Sequence, residues 1–154
     1  ARTLSTRASN RRALGDTAGQ RTDHDRAVQL LEQLVATTPD EPGLRRSLAL
    51  ALAERADAVA AAGALADGDV EAAAADQRRA IAEFEAVLAA QPDDAQARAN
   101  LAAICANRSS LLLRRGELDE AAQLSARALA LVDQERTPDA VALRCELLVG
   151  MADL

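Results

Sequence analysis

The sequence has almost no aromatic residues and no lysine. It contains one phenylalanine, Phe84, and neither tyrosine nor tryptophan among its 154 residues. Sheets and sandwiches depend on β-branched and aromatic side chains, whereas the abundant alanine, leucine, arginine and glutamate of this chain favour helices. The composition therefore predicts an all-α fold, in which small alanine side chains let helix axes approach closely.

All 18 basic residues are arginine, and the formal net charge is −6. This negative charge argues against a general nucleic-acid binder or a protein that associates with anionic membranes. The arginine and alanine excess is typical of a GC-rich genome, and the alternative is arginine-specific recognition of phosphate or carboxylate. Residues 1–38 contain six arginines and four acids. Ordinary variation among solvated helix faces and a basic arm that contacts a partner both explain this local excess.

Long hydrophobic runs are also absent. No segment of the sequence approaches the roughly 18 uninterrupted apolar residues that indicate a membrane-spanning helix. The two cysteines, Cys105 and Cys145, have neither the spacing of metal ligands nor the pattern of a disulfide framework. We therefore expect a cytoplasmic protein without a membrane partner.

The chain repeats itself. Three Pro-Asp pairs each open a segment in which arginine follows six residues after the proline, leucine nine and alanine fourteen. The matched sets are Pro39, Arg45, Leu48 and Ala53, then Pro92, Arg98, Leu101 and Ala106, then Pro138, Arg144, Leu147 and Ala152. Proline lacks an amide hydrogen and aspartate can cap a helix, so each Pro-Asp pair predicts the start of a long helix.

Apolar residues follow these helix starts at helical spacing. The pairs four residues apart are Leu48 with Leu52, Leu101 with Cys105, and Leu147 with Met151, and a longer series is Leu118, Ala121, Leu124, Ala128 and Leu131. Residues at this spacing lie on one face of a helix. We therefore predict that both patterns face the core, which makes Cys105 a core residue and not a nucleophile.

The pattern predicts six to seven helices in a single helical repeat domain over residues 1–154. We expect the helices near 3–18, 22–37, 41–66, 69–90, 93–115, 117–134 and 138–153. Antiparallel pairing of consecutive helices gives repeat units at 3–37, 41–90 and 93–134, with a closing helix at 138–153.

One stretch resembles the tetratricopeptide repeat. Ser109, Leu112, Gly116, Ala121 and Ala128 place a small residue, a turn glycine and two alanines at that family's offsets across a helix-turn-helix. The resemblance implies antiparallel helical hairpins stacked as a right-handed solenoid, with a concave face that binds a peptide or a protein. The repeats here are longer than the family's, and Gln77 and Ser125 stand where the family has a bulky residue.

Few residues suggest chemistry. His24, the single histidine, corresponds to Gln77 in the next repeat, which predicts an exposed polar position. Cys145 corresponds to variable positions, so we expect it to be partly exposed. The acidic pairs Asp40-Glu41 and Asp93-Asp94 lie at predicted helix starts, where negative charge is favourable. We therefore expect no catalytic residue, no metal site and no cofactor.

The recurring Arg45, Arg98 and Arg144 allow two interpretations. The structural one is a repeated ion pair to an adjacent helix or to the preceding turn. The functional one is an arginine series that binds an acidic peptide. Arg78 and Arg79 are further candidates for contact with a partner.

These patterns predict a non-catalytic protein-interaction module that binds a peptide or a protein surface. The alternative is a structural domain that forms a homodimer or larger homo-oligomer. In that case the apolar flank of the last segment would contact a second copy, through Leu143, Leu147, Leu148 and Met151.

Overall fold

The computed structural model describes residues 2–13, 16–61, 67–133 and 144. This part of the chain forms helices and no strand, so the prediction of an all-α fold is confirmed. The helices are α1 (Arg2–Ala13), α2 (Thr17–Thr37), α3 (Pro42–Ala61), α4 (Asp67–Ala90), α5 (Ala95–Arg115) and α6 (Leu118–Val132). They fall into two compact units, unit 1 (Ala1–Ala90) and unit 2 (Gln91–Leu154). A single repeat domain and a solenoid remain predictions.

Unit 1 is built from α1 to α4. Helix α1 packs against α2, α2 against α3, and α3 against α4. Because the connections are short, consecutive helices are antiparallel neighbours. The largest buried apolar side chains come from α2, α3 and α4, and they are Val28, Leu31, Leu48, Leu52, Ile81, Phe84 and Val87.

Small residues bring the helices of unit 1 together. Ala27 of α2 and Ala80 of α4 occupy the same place in consecutive repeats, and both are fully buried. Ala49 and Ala56 of α3 are buried as well. Side chains of this size pack with the larger aliphatic residues around the single ring of Phe84, which fills the core of unit 1.

Unit 2 contains the hairpin of α5 and α6, which pack against each other. Leu101 and Cys105 of α5 are buried, as are Ala121 and Ala128 of α6. The prediction that Cys105 is a core residue is confirmed. Leu118 departs from the predicted apolar face, because this first residue of α6 is half exposed.

The hairpin turn of unit 2 depends on Gly116. Its φ of 76° is a left-handed conformation that suits glycine. The amide of Gly116 donates to Leu113 O at 3.0 Å, and the amide of Glu117 donates to Leu112 O at 3.0 Å. These two bonds form a Schellman motif, which ends α5 and turns the chain back towards α6.

Several predicted boundaries are wrong. Helix α1 ends at Ala13 and not near residue 18. Helix α2 begins at Thr17 and not near residue 22, because the Asp16 side chain accepts a 2.9 Å hydrogen bond from the Gly19 amide and caps the helix there. The Pro-Asp pairs at 39–40 and 92–93 lie in the turns just before α3 and α5 and not at the helix starts, whereas the pair at 138–139 lies outside the described residues. In unit 2 the cap of α5 is Asp94, whose side chain accepts from the Ala97 amide at 2.9 Å.

Some predictions fall on other parts of the chain. The closing helix at 138–153 lies outside the described residues except for Arg144, and Cys145 also lies outside them. No helix in the described ranges combines the length and the apolar character that crossing a membrane requires.

Replacing Leu101 by alanine tests the core of unit 2. Leu101 is almost completely buried, so we expect Leu101→Ala to lower the free energy of unfolding by about 2–5 kcal/mol. Leu118→Ala makes the same chemical change at a half-exposed position and should cost less than about 1 kcal/mol. Urea unfolding followed by circular dichroism measures both, and equal losses would contradict this assignment of the core.

Candidate functional site

Arg45 and Arg98 each close the Pro-Asp turn that precedes their helix. Arg45 Nε donates to the carbonyl oxygen of Pro39 at 2.9 Å, and an Arg98 guanidinium nitrogen donates to the carbonyl oxygen of Pro92 at 2.6 Å. Arg45 also binds Glu83 of α4 at 2.9 Å. The six-residue spacing from proline to arginine therefore has a structural use in both repeats.

The other candidate arginines also have acidic partners. Arg144 pairs with Asp133 at 3.0 Å, Arg78 with Glu71 at 2.8 Å, and Arg79 with Glu32 at 2.5 Å. These side chains are about half exposed, and ion pairs of this kind contribute little to stability. The leucines and the methionine proposed for an oligomer contact, Leu143, Leu147, Leu148 and Met151, lie outside the described residues.

A second pair of equivalent arginines, which the sequence analysis missed, joins the two helices of a hairpin. Arg55 of α3 forms a two-pronged contact with Asp76 of α4, with nitrogen–oxygen distances of 2.6 and 2.7 Å. Arg108 of α5 contacts Glu120 of α6 at 2.6 Å. Both arginines stand 16 residues after their proline, Pro39 or Pro92. That shared spacing was the sequence signal for these contacts.

Unit 1 has a comparable contact in its first hairpin. Asp23 of α2 is buried, and it corresponds to Asp76 in the next repeat. Arg7 of α1 binds both of its carboxylate oxygens, and Arg11 Nε lies 3.3 Å from one of them. The hydrogen bonds from Arg7 lower the pKa of Asp23, with further help from the charge of Arg11. Asp23 is therefore a carboxylate at neutral pH.

His24 is buried, and the prediction of an exposed position is wrong. Only 5% of the residue is accessible, and its counterpart Gln77 is buried too. The polar character of both residues suggested a solvent-facing side of the helix. In the structure His24 faces α3, where its Nδ1 lies 4.0 Å from Glu54 Oε2. Nδ1 has no hydrogen-bond partner among the residues that the structure describes.

The same repeat position in unit 2 is also polar and buried. Ser125 of α6 lies 2.7 Å from Ser109 of α5, hydroxyl to hydroxyl, and Ser109 donates to the Ala121 carbonyl at 2.8 Å. Two hydroxyls thus satisfy each other where a large apolar side chain was expected. His24, Gln77 and Ser125 make this a buried polar position in all three hairpins.

The first helices of the second and third hairpins expose equivalent faces. On α3 the exposed residues at helical spacing are Leu50, Glu54 and Asp57, and on α5 they are Ala103, Asn107 and Ser110. Each α5 residue lies 53 positions after its α3 counterpart. We call these two sets the first-helix faces. They offer small, polar and acidic groups to solvent.

No three histidine, cysteine, aspartate or glutamate side chains among the described residues are grouped so that they could hold a metal ion. The Cys105 thiol is buried, so it is shielded from a substrate in water. The arrangement is one of ion pairs, caps and helix packing.

No protein-family model, curated protein or solved structure matches the chain. The resemblance to the tetratricopeptide repeat therefore rests on the residues of this chain alone.

The two hairpin arginines give a matched stability test. Arg55→Met leaves Asp76, whose side chain is 10% exposed, as a buried carboxylate without its partner, which should cost about 3–5 kcal/mol. Arg108→Met leaves Glu120, which is 47% exposed and remains hydrated, so the cost should be about 1 kcal/mol. Urea unfolding of both variants measures the difference, and a larger loss for Arg108→Met would contradict this explanation.

Proposed function

We propose that this chain is a non-catalytic, tetratricopeptide-like protein-interaction module that binds a peptide or a protein surface through its first-helix faces. The observation that carries the proposal is the exposure of equivalent positions on α3 and α5. A core needs buried positions to recur from repeat to repeat. Recurrence of exposed positions on the first helix instead gives each unit an exposed helix face that a partner can contact.

The hairpin of unit 2 supports the resemblance to the family. Its small residues Ser109, Ala121 and Ala128 are buried between α5 and α6, and Gly116 makes the left-handed turn. In the tetratricopeptide pattern a small residue, a turn glycine and two alanines stand at the same offsets across a helix-turn-helix.

The chemistry of the first-helix faces indicates the kind of partner. The Asn107 amide can both donate and accept hydrogen bonds, as an extended peptide backbone requires. Ala103 leaves space for a side chain of the partner. Leu50 is 39% exposed and offers an apolar contact, while Glu54 and Asp57 favour basic groups. A segment with apolar and basic residues therefore fits the face of α3 better than an acidic one.

The acidic-peptide interpretation of the arginine series has less support. Arg45 and Arg98 are engaged with the turns of their own chain. Arg78 and Arg79 are half exposed and paired with carboxylates, so an acidic partner would have to replace those carboxylates. These residues remain secondary candidates for partner contact.

Capture of partners from a lysate of the source organism, with variants compared side by side, tests the proposal. Ala103→Arg places a long charged side chain on the first-helix face of α5, and we expect it to reduce recovery of a partner at least tenfold. Ala130→Arg makes the same change at an exposed position of α6 and should leave recovery unchanged. Quantitative mass spectrometry measures recovery, and circular dichroism confirms that both variants fold.

The same experiment has an outcome that would contradict the proposal. If Ala103→Arg and Ala130→Arg recover the same proteins in the same amounts, the first-helix faces are not the binding surface. Light scattering during size exclusion addresses the homo-oligomer alternative. A monomer at all concentrations would exclude that alternative, and a concentration-dependent dimer would favour it.

A further inference from the structure

His24 lies where the two hairpins of unit 1 meet. It belongs to α2, the second helix of the first hairpin, and it faces α3, the first helix of the second hairpin. Its side chain is more than nine-tenths buried, and Nδ1 is without a hydrogen-bond partner among the described residues. A buried polar atom in this state is rare in folded proteins. The neutral imidazole can keep Nδ1 buried without a hydrogen bond, because an unprotonated ring nitrogen carries no charge.

Most charged groups around His24 are already engaged. Asp23, its neighbour on α2, is bound by Arg7 and Arg11 of α1. Asp25, on its other side, contacts Arg55 of α3 at 3.2 Å, and Arg55 also binds Asp76 of α4. Glu54 of α3 lies 4.0 Å from Nδ1, beyond hydrogen-bond distance, and its side chain is 45% exposed. Water therefore screens the charge of the acid that faces the ring.

We propose that His24 makes the packing of α2 against α3 sensitive to pH, so that proton uptake at this single imidazole loosens the junction between the first two hairpins. A protonated ring carries a buried charge and a second N–H that needs an acceptor. The nearest carboxylate, Glu54, lies beyond hydrogen-bond distance of Nδ1 and is screened by water, so a charged ring would be better accommodated after some separation of α2 from α3. Unit 2 has Ser125 at the equivalent position and does not titrate there.

The direction of the effect follows from the protonation states. Burial lowers the pKa of His24 below its ordinary value, and Arg55 lowers it further, while Glu54, Asp25 and Asp23 act in the opposite direction. The folded protein therefore binds fewer protons than the unfolded chain at mildly acidic pH. Stability is complete above the unfolded pKa of about 6.5 and is lost as the pH falls through the lower pKa of the folded state.

The single histidine makes the first measurement unambiguous. Titration of the His24 ring signals by nuclear magnetic resonance should give a midpoint below 6.5. Glu54→Gln removes the exposed acid that favours the charged ring, so the midpoint should move to still lower pH. Asp119→Asn in unit 2 is the matched control and should leave it unchanged. A wild-type midpoint at or above 6.5 would overturn the proposal.

The second measurement is the urea midpoint between pH 8 and pH 5, a range in which ordinary carboxylates stay largely ionised. Each unit by which the folded pKa lies below the unfolded value contributes up to a tenfold increase in the unfolding equilibrium constant. His24→Gln copies the residue of the next repeat and should remove this pH dependence.

A double variant tests whether the pH dependence requires the histidine at position 24 or only a histidine somewhere in the chain. His24→Gln combined with Gln33→His keeps one histidine but moves it to an exposed position on the same helix. We expect its ring midpoint near 6.5 and the same flat pH dependence as His24→Gln alone. A wild-type slope that persists in both variants would assign the pH dependence to other groups and refute the proposal.

Discussion

Burial of small side chains between packed helices is the constraint on which the rest of this structure depends. A chain with a single aromatic residue has one large ring, Phe84, to fill space between helices. Ala27, Ala80 and Ala128 occupy the same place in three hairpins, and each is buried. Protein interiors are densely packed, because a gap between two helices removes van der Waals contacts from the side chains on both sides.

Long arginine side chains join the two helices within each of the second and third hairpins. Arg55 and Arg108 each reach from the first helix of a hairpin to an acid on the second. Their aliphatic stems cover apolar surface while the guanidinium groups meet carboxylates. The net negative charge of the chain leaves enough acids for these contacts and for the exposed face of α3.

The repeat allowed much of this arrangement to be predicted from the sequence. Cys105 could be assigned to the core because Leu52 occupies the same position in the preceding repeat. His24 was misplaced, because a polar residue on a helix indicates solvent until the neighbouring helix is known. The Arg55–Asp76 contact was missed for a similar reason. The spacing of Arg55 and Arg108 is visible in the sequence, but the acid that each arginine contacts depends on how its helix is rotated against the next.

The capping of α2 by Asp16 was also missed, so the predicted start of this helix lay near residue 22 and not at Thr17.

Arg45 and Arg98 bind carbonyl groups that lie six residues earlier in the chain. Such short-range bonds can form before any two helices meet. Starting a helix is the unfavourable step in its growth, because several residues must be ordered for the first hydrogen bond. An arginine that ties the first turn of its helix to the preceding proline reduces this barrier locally. The local bonds of these arginines should thus influence the rate of folding more than the rate of unfolding, as expected for contacts that form early in a helical protein.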